Sequence, residues 1–153
     1  MDEEIKSYQV HKVLAHSYSF YFLSFLLGII LDFYKPMHLP KFPWAIYIGF
    51  FFLIAGPLLI YWAQHTSRNL KKGEVMSAEI FLKGPYCYTR GPTHLGIALM
   101  LIGFGMVVNA FYVVVFTLIA AIVTKFIFLD KEEEILEKKY GEPYKEYKKK
   151  VKL

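Results

Sequence analysis

The hydrophobic residues of this chain are gathered in long uncharged stretches, with the charged residues between them. From Trp44 to Ala63 twenty residues carry no charge, and from Leu95 to Leu129 the only charged residue is Lys125. About twenty apolar residues in a helix are enough to cross the hydrocarbon core of a bilayer. The 35 residues of the second stretch would reach roughly 50 Å as one helix, so they are expected to fold back at Val108–Ala110.

This pattern predicts an all-α integral membrane protein with a single membrane-embedded domain over residues 1–153. About four transmembrane helices are expected, at about residues 17–31, 43–63, 94–108 and 110–129, the last two forming a short helical hairpin. A cytoplasmic loop over residues 64–93 and a cytoplasmic tail over residues 130–153 complete the prediction. The glycines of the third helix allow neighbouring helices to approach closely, and they are Gly96, Gly103 and Gly105.

The lysines and arginines are distributed unequally between the connections. The loop 64–93 holds five of them and the tail eight, whereas the first connection holds only Lys35 and Lys41, and the hairpin tip holds none. Because positive residues accumulate on the cytoplasmic side, both termini of this multi-pass chain are expected there. The net charge of +5 does not indicate a nucleic-acid partner, since the basic residues flank apolar spans and alternate with glutamates. The expected partner is the lipid bilayer.

The tail is expected to be structured. Asp130 followed by Glu133 matches a helix N-cap with its capping-box partner. Apolar and aromatic residues then recur at helical spacing, and they are Leu136, Tyr140, Tyr144, Tyr147 and Val151. Gly141 and Pro143 mark a break between two helical segments. The pattern is typical of an amphipathic helix that lies on the cytoplasmic membrane face and can cap a site there.

Two segments on the cytoplasmic side carry candidate chemistry. The loop Gly84–Gly96 leads into the third helix, where Arg90 and the backbone N–H groups of a helix start could hold a carboxylate. The alternative is a membrane-entry turn with an interfacial arginine. The acidic run Asp130–Glu134 could bind hydroxyl or amine groups, or it could serve only as a helix cap favoured by the helix dipole.

Taken together, the two segments resemble the isoprenylcysteine carboxyl methyltransferase and phospholipid methyltransferase family. The first resembles the family motif in its order and spacing, through Gly84, Tyr86, Arg90, Pro92 and Gly96. The second resembles the C-terminal signature, through Glu132, Glu133, Leu136, Tyr140, Gly141, Tyr144 and Tyr147. The resemblance covers roughly residues 73–151 and is specific only as a joint match.

The resemblance implies an S-adenosyl-L-methionine-dependent transfer of a methyl group to a lipophilic acceptor, such as a phospholipid amine or a prenylcysteine carboxylate, at the cytoplasmic face. The implied cofactor-binding residues are Ile80, Phe81, Tyr86, Gly91, Pro92, Thr93, His94 and Glu132. The implied catalytic residues are Arg90, His94 and Glu133.

The chain departs from the family pattern at three positions. Gly91 stands where the family has histidine, and His94 stands where it has tyrosine. Phe128 replaces an arginine of the isoprenylcysteine enzymes, which favours a phospholipid or another lipophilic acceptor over a prenylcysteine carboxylate. Two alternatives remain: an NADPH-dependent membrane reductase, and a non-catalytic membrane protein on the same scaffold. No metal is expected, since the other histidines lack ligand spacing.

The predicted orientation can be tested by cysteine-accessibility labelling. Because the first connection is poor in basic residues and the second is rich in them, cysteines placed at Lys41 and at Lys72 are expected to react from opposite sides of the membrane. If both positions react from the same side, the orientation is wrong.

Overall fold

The computed structural model describes residues 2–40, 42–70 and 82–151 of the chain. The residues named above that lie outside this part are Lys41, Lys72, Ile80 and Phe81. The described part is all-helical, as the hydrophobic pattern predicts, and its α-helices are α1 (Asp2–Tyr34), α2 (Ala45–Leu70), α3 (Pro92–Val107), α4 (Phe111–Val123), α5 (Asp130–Tyr140) and α6 (Glu142–Lys150). A 3-10 turn spans Gly84–Cys87, and a π-helical segment, Thr124–Leu129, joins α4 to α5.

Three helical stretches are long and apolar enough to cross a membrane, and they are Lys12–Tyr34, Ala45–Arg68 and Phe111–Tyr140. Large apolar side chains on their surfaces are exposed, such as Phe51 and Ile122, which suits contact with lipid tails. Helix α3 is equally apolar but has only 16 residues. Such a helix measures about 24 Å, less than the roughly 30 Å of the hydrocarbon core, so the count of four complete spans stays a prediction.

Two helix boundaries differ from the sequence prediction. Helix α1 begins at Asp2, well before residue 17, and α2 continues to Leu70, into the predicted loop 64–93. Both expectations placed the helix end where the apolar stretch ends. A helix can continue into water through polar residues of ordinary helix propensity, so hydropathy marks the membrane boundary and leaves the helix boundary open.

Helices α2 and α3 pack against each other through glycines at two levels. A Cβ atom on Gly56 would lie 2.6 Å from the carbonyl oxygen of Gly96, and one on Gly103 would lie 2.7 Å from the carbonyl oxygen of Gly49. The backbones are therefore in direct contact, as expected for Gly96 and Gly103. The partner glycines on α2 are a finding of the structure. Helix α3 also packs against α1 and α4, where Ala98 lies in a buried cluster with residues of both helices.

The chain reverses between α3 and α4 at Val108–Ala110, and Asn109 adopts a left-handed conformation there, with φ of 58°. The Asn109 side chain accepts a hydrogen bond of 2.9 Å from the Leu39 N–H. The carboxylate of Asp32 accepts hydrogen bonds from the N–H groups of Tyr112 and Val113, at 3.3 and 3.1 Å. Asp32, on α1, thus accepts hydrogen bonds from the free N–H groups at the start of α4, where Ala110 provides no side-chain cap.

The prediction that Asp130 caps a new helix is wrong. Val123, Leu129 and Asp130 all have right-handed helical dihedrals, so the helix continues from Phe111 to Tyr140 without a start at Asp130. In a continuous helix the backbone N–H groups after Asp130 already have partners in the preceding turn, and a cap has nothing to satisfy. Capping by the helix dipole therefore does not explain the acidic run.

The predicted break at Gly141 is confirmed, because α5 ends at Tyr140 and Gly141 turns the chain with φ of 66°. Helix α6 then packs back on the loop before α3. Its residues Tyr144 and Tyr147, with Val151, form a buried cluster. The partners of this cluster are Leu82, Tyr86, Leu136 and Tyr140.

The contact between α2 and α3 generates a stability prediction. Gly103→Ala places a methyl group against the Gly49 carbonyl and the Leu53 N–H, and backbone atoms cannot move aside as a flexible side chain can. The substitution is expected to cost about 1–3 kcal/mol and to lower the midpoint of thermal unfolding in detergent. The control is Leu95→Phe, which enlarges a residue that is 46% exposed on the same helix. Equal midpoints for the two variants would contradict the proposed role of the glycines.

Candidate functional site

Two side-chain contacts join the start of α3 and the loop before it to the first turn of α5. The Nη1 of Arg90 donates to Oε2 of Glu133 at 2.8 Å. The Nε2 of His94 lies 3.3 Å from Oε2 of Glu132. The pairs connect residues 43 and 38 positions apart in the chain, so the two segments singled out by sequence meet at one place.

Glu133 is the most deeply buried charged residue among those described, with 1% of its surface exposed. Its Oε2 also accepts a hydrogen bond from Nζ of Lys148 on α6, at 2.9 Å, while Lys148 contacts Glu137 at the same distance. Hydrogen bonds to Glu137 and then to Glu133 raise the pKa of Lys148. A buried carboxylate requires such partners, and breaking a buried pair by removing one partner costs about 3–5 kcal/mol.

His94 is held between α1 and α5. Its ring centroid lies 5.9 Å from that of Tyr18, and its side chain is 9% exposed. A Cβ atom at Gly91 would lie 3.4 Å from Cδ2 of His94 and 3.2 Å from Cδ1 of Leu129. The side chains of His94 and Leu129 thus fill the space beside Gly91. A larger residue at position 91 would compete with this placement of His94.

The tyrosines around the site are neutral hydrogen-bonding groups at physiological pH. Burial and then the nearby carboxylate of Glu132 raise the pKa of Tyr86 to about 12. Burial and then Glu133 raise the pKa of Tyr144, and burial is also the main cause that raises the pKa of Tyr147. The Tyr147 hydroxyl donates to the Tyr86 carbonyl at 3.0 Å, which ties α6 to the loop.

Three buried polar atoms of this cluster lack a hydrogen-bond partner among the residues that the structure describes. They are Nε of Arg90, Nδ1 of His94 and Oε1 of Glu133. Buried polar atoms are normally paired, so three orphans on neighbouring side chains indicate a place for a polar ligand. Three carboxylates and two permanent cations meet at the site, which leaves one excess negative charge when His94 is neutral; they are Glu132, Glu133 and Glu137, with Arg90 and Lys148.

Most of the residues singled out by sequence lie in or beside this cluster. Arg90 and Glu133 form an ion pair, and His94 contacts Glu132. The remaining described ones are Tyr86 in the 3-10 turn, Gly91 and Pro92 buried at the start of α3, and Thr93, which lies beside Tyr18. Ile80 and Phe81 lie outside the described residues, so their expected contacts stay predictions.

Sequence reasoning missed three members of the site, and they are Tyr18, Glu137 and Lys148. Lys148 stands in a run of three lysines, and the only sequence signal for it is helical spacing: it lies one turn after Tyr144, beside the predicted tyrosine face, whereas Lys149 lies on the opposite side. Tyr18 lies near the start of the predicted first span and has the pattern of an ordinary interfacial aromatic. Within the described ranges, no group of three or more histidine, cysteine or acidic residues is arranged to hold a metal ion.

Comparison with protein families gives a match over most of the chain. The model of the family described as phospholipid methyltransferase matches residues 18–143, which include the first motif segment and the second one as far as Gly141. Comparison with curated proteins and with solved structures gives no match.

Proposed function

Because the chain belongs to the phospholipid methyltransferase family, we propose that it transfers a methyl group from S-adenosylmethionine to an amine of a membrane lipid at the cytoplasmic face. The observation that carries the proposal is the group of three unpartnered buried atoms on Arg90, His94 and Glu133. They lie where the apolar helix α3 begins and where the long helix Phe111–Tyr140 leaves its apolar part, and a buried polar atom without a partner is costly there. A polar ligand between the two motif segments would supply the missing partners.

The residues of the site fit the polar groups of this cofactor. Arg90 has a free N–H for a carboxylate, and the backbone N–H groups at the start of α3 add to it. The glutamates accept hydrogen bonds from an ammonium group or from ribose hydroxyls. The excess negative charge of the site complements the net positive charge of S-adenosylmethionine. Ile80, Phe81 and Tyr86 are proposed to contact its remaining surface.

The cofactor supplies a methyl group that its sulfonium already activates. The chain therefore has to bind, to orient and to exclude water, and orientation of this kind contributes about 7–11 kcal/mol in favourable cases. An amine acceptor must also lose a proton. With Glu132 holding Nε2–H of His94, the lone pair on Nδ1 is available to accept that proton. Glu133 is engaged with two cations, so we assign the base role to His94.

The acceptor and the membrane face follow from the same features. A prenylcysteine carboxylate is already deprotonated and needs no base, whereas a lipid amine does. An imidazole with a free nitrogen therefore favours an amine acceptor, as does Phe128 in place of arginine. The site lies beside the lysine-rich tail helices, and the positive-inside rule therefore supports a cytoplasmic site.

The cofactor site can be tested by titration calorimetry with S-adenosylhomocysteine, the demethylated cofactor. The wild-type protein is expected to bind it, and Glu132→Gln is expected to bind at least roughly tenfold more weakly, about 1.4 kcal/mol, with the fold intact. The physical reason is the loss of a charge-assisted acceptor next to His94. The matched control is Glu134→Gln, since Glu134 is an exposed residue of the same helix paired only with Lys138.

Unchanged affinity in Glu132→Gln would return Glu132 to a purely structural role. Absence of binding in the wild type, together with binding of NADPH, would support the reductase alternative. Absence of binding of either compound would support the non-catalytic alternative.

The base role of His94 can be tested by turnover on vesicles that contain phosphatidylethanolamine. His94→Gln is expected to lower the rate of methylation by about 10²–10⁴, the usual contribution of a general base, while the affinity for S-adenosylhomocysteine changes much less. The product is measured as methylated lipid by mass spectrometry. A loss of affinity as large as the loss of rate would show that His94 binds the cofactor and does not act as the base.

A further inference from the structure

The two carboxylate oxygens of Glu133 have different surroundings. Oε2 accepts hydrogen bonds from both Arg90, at 2.8 Å, and Lys148, at 2.9 Å. Oε1 is buried and has no partner among the residues that the structure describes. Both cations thus hold the same oxygen, and the other oxygen is the one left for a ligand.

Lys148 reaches Glu133 only because α6 is folded back. Gly141 turns the chain, and the buried rings of Tyr144 and Tyr147 attach α6 to the loop before α3. The hydrogen bond from the Tyr147 hydroxyl to the Tyr86 carbonyl fixes the helix one residue before Lys148. Glu137 holds the Lys148 ammonium from the other side. The position of Lys148 is therefore determined by the packing of the whole final helix.

We propose that Lys148 is a positioning residue, which fixes the Glu133 carboxylate so that Oε1 is turned toward the ligand. The terminal torsion of a glutamate is broad and roughly two-fold, so a single donor such as Arg90 leaves the carboxylate free to rotate and exchange its oxygens. A second donor on the same oxygen restricts that rotation. Docking of α6 is then a condition for a fully formed site.

The chemistry of the Glu133 Oε1 atom determines which kind of ligand group can bind to it. An ionised carboxylate oxygen only accepts hydrogen bonds, so its partner must be a hydroxyl or an ammonium group. The inference rests on the proposed function, in which the cofactor supplies such a donor. It goes beyond that function by making affinity depend on a residue that lies outside the segment matched by the family, which ends at residue 143.

The test uses the full-length protein in detergent and titration with S-adenosylhomocysteine. Lys148→Met removes the charge and keeps the length of the side chain, and it is expected to weaken binding roughly tenfold. Lys148→Arg restores a cation and is expected to bind within about threefold of the wild type. The matched control is Lys149→Met, since Lys149 is exposed on the same helix, and its affinity is expected to equal that of the wild type.

A double-mutant cycle separates positioning from a general loss of structure. In a Glu133→Gln background, Lys148→Met is expected to have little further effect on affinity, because the carboxylate that it positions is gone. Glu137→Gln weakens the contact between Lys148 and residue 137 but leaves the contact with Glu133 in place. It is therefore expected to lower the affinity less than Lys148→Met does.

Three outcomes would overturn the inference. If the wild type binds S-adenosylhomocysteine and the Lys148→Met and Lys149→Met variants bind it with equal affinity, the inference about Lys148 is overturned and the proposed function is unaffected. Equal losses from Lys148→Met with and without Glu133 would assign the effect to α6 as a structural element. Failure of the wild type to bind would overturn the proposed function and this inference with it.

Discussion

The buried carboxylate of Glu133 is the constraint on which the site depends. A charge with 1% of its surface exposed is stable only if other parts of the chain bring cations to it. Arg90 comes from the loop before α3, and Lys148 comes from the last helix. The need to pair one carboxylate thus draws together three segments that are separate in sequence.

The rigid support for this convergence lies in the membrane part. Glycine contacts bring the backbones of α2 and α3 together. His94 lies in the first turn of α3, and Arg90 lies in the loop directly before it. The long helix Phe111–Tyr140 carries Glu132 and Glu133 out of the apolar region without interruption. Because this helix is continuous through its π-helical segment, the packing of its apolar part contributes to the position of the acidic pair.

The arrangement also separates two kinds of polar group. The side chains that are fully paired hold the segments together, as the bond from Tyr147 to Tyr86 does. The atoms that lack partners among the described residues lie on Arg90, His94 and Glu133, between these paired groups. A site for a polar ligand next to a bilayer needs both kinds, since binding groups left mobile would cost entropy when the ligand orders them.

Local patterns in the sequence determined the features that depend on neighbours along the chain. The apolar stretches predicted an all-helical membrane protein, and Gly141 and Asn109 mark turns that the structure contains. The spacing of Tyr144 and Tyr147 predicted one face of a tail helix, and that face is buried. The joint motif pointed to the family that the comparison confirms. The turn and face signals act within one or two helical turns, and the other two come from the composition of a whole span and from two short motifs read together.

The tertiary structure alone decided what depends on contacts across the fold. Asp130 has the sequence pattern of a helix cap, but the continuous helix Phe111–Tyr140 runs through it. The packing of this long helix outweighs the local capping preference of Asp130. The choice of Lys148 among three adjacent lysines follows from which face of α6 is buried against the loop. The fit of His94 beside Gly91 depends on Leu129, 38 residues further along the chain from Gly91. Such pairs leave no periodic trace in the sequence, because only the three-dimensional packing brings their atoms within reach.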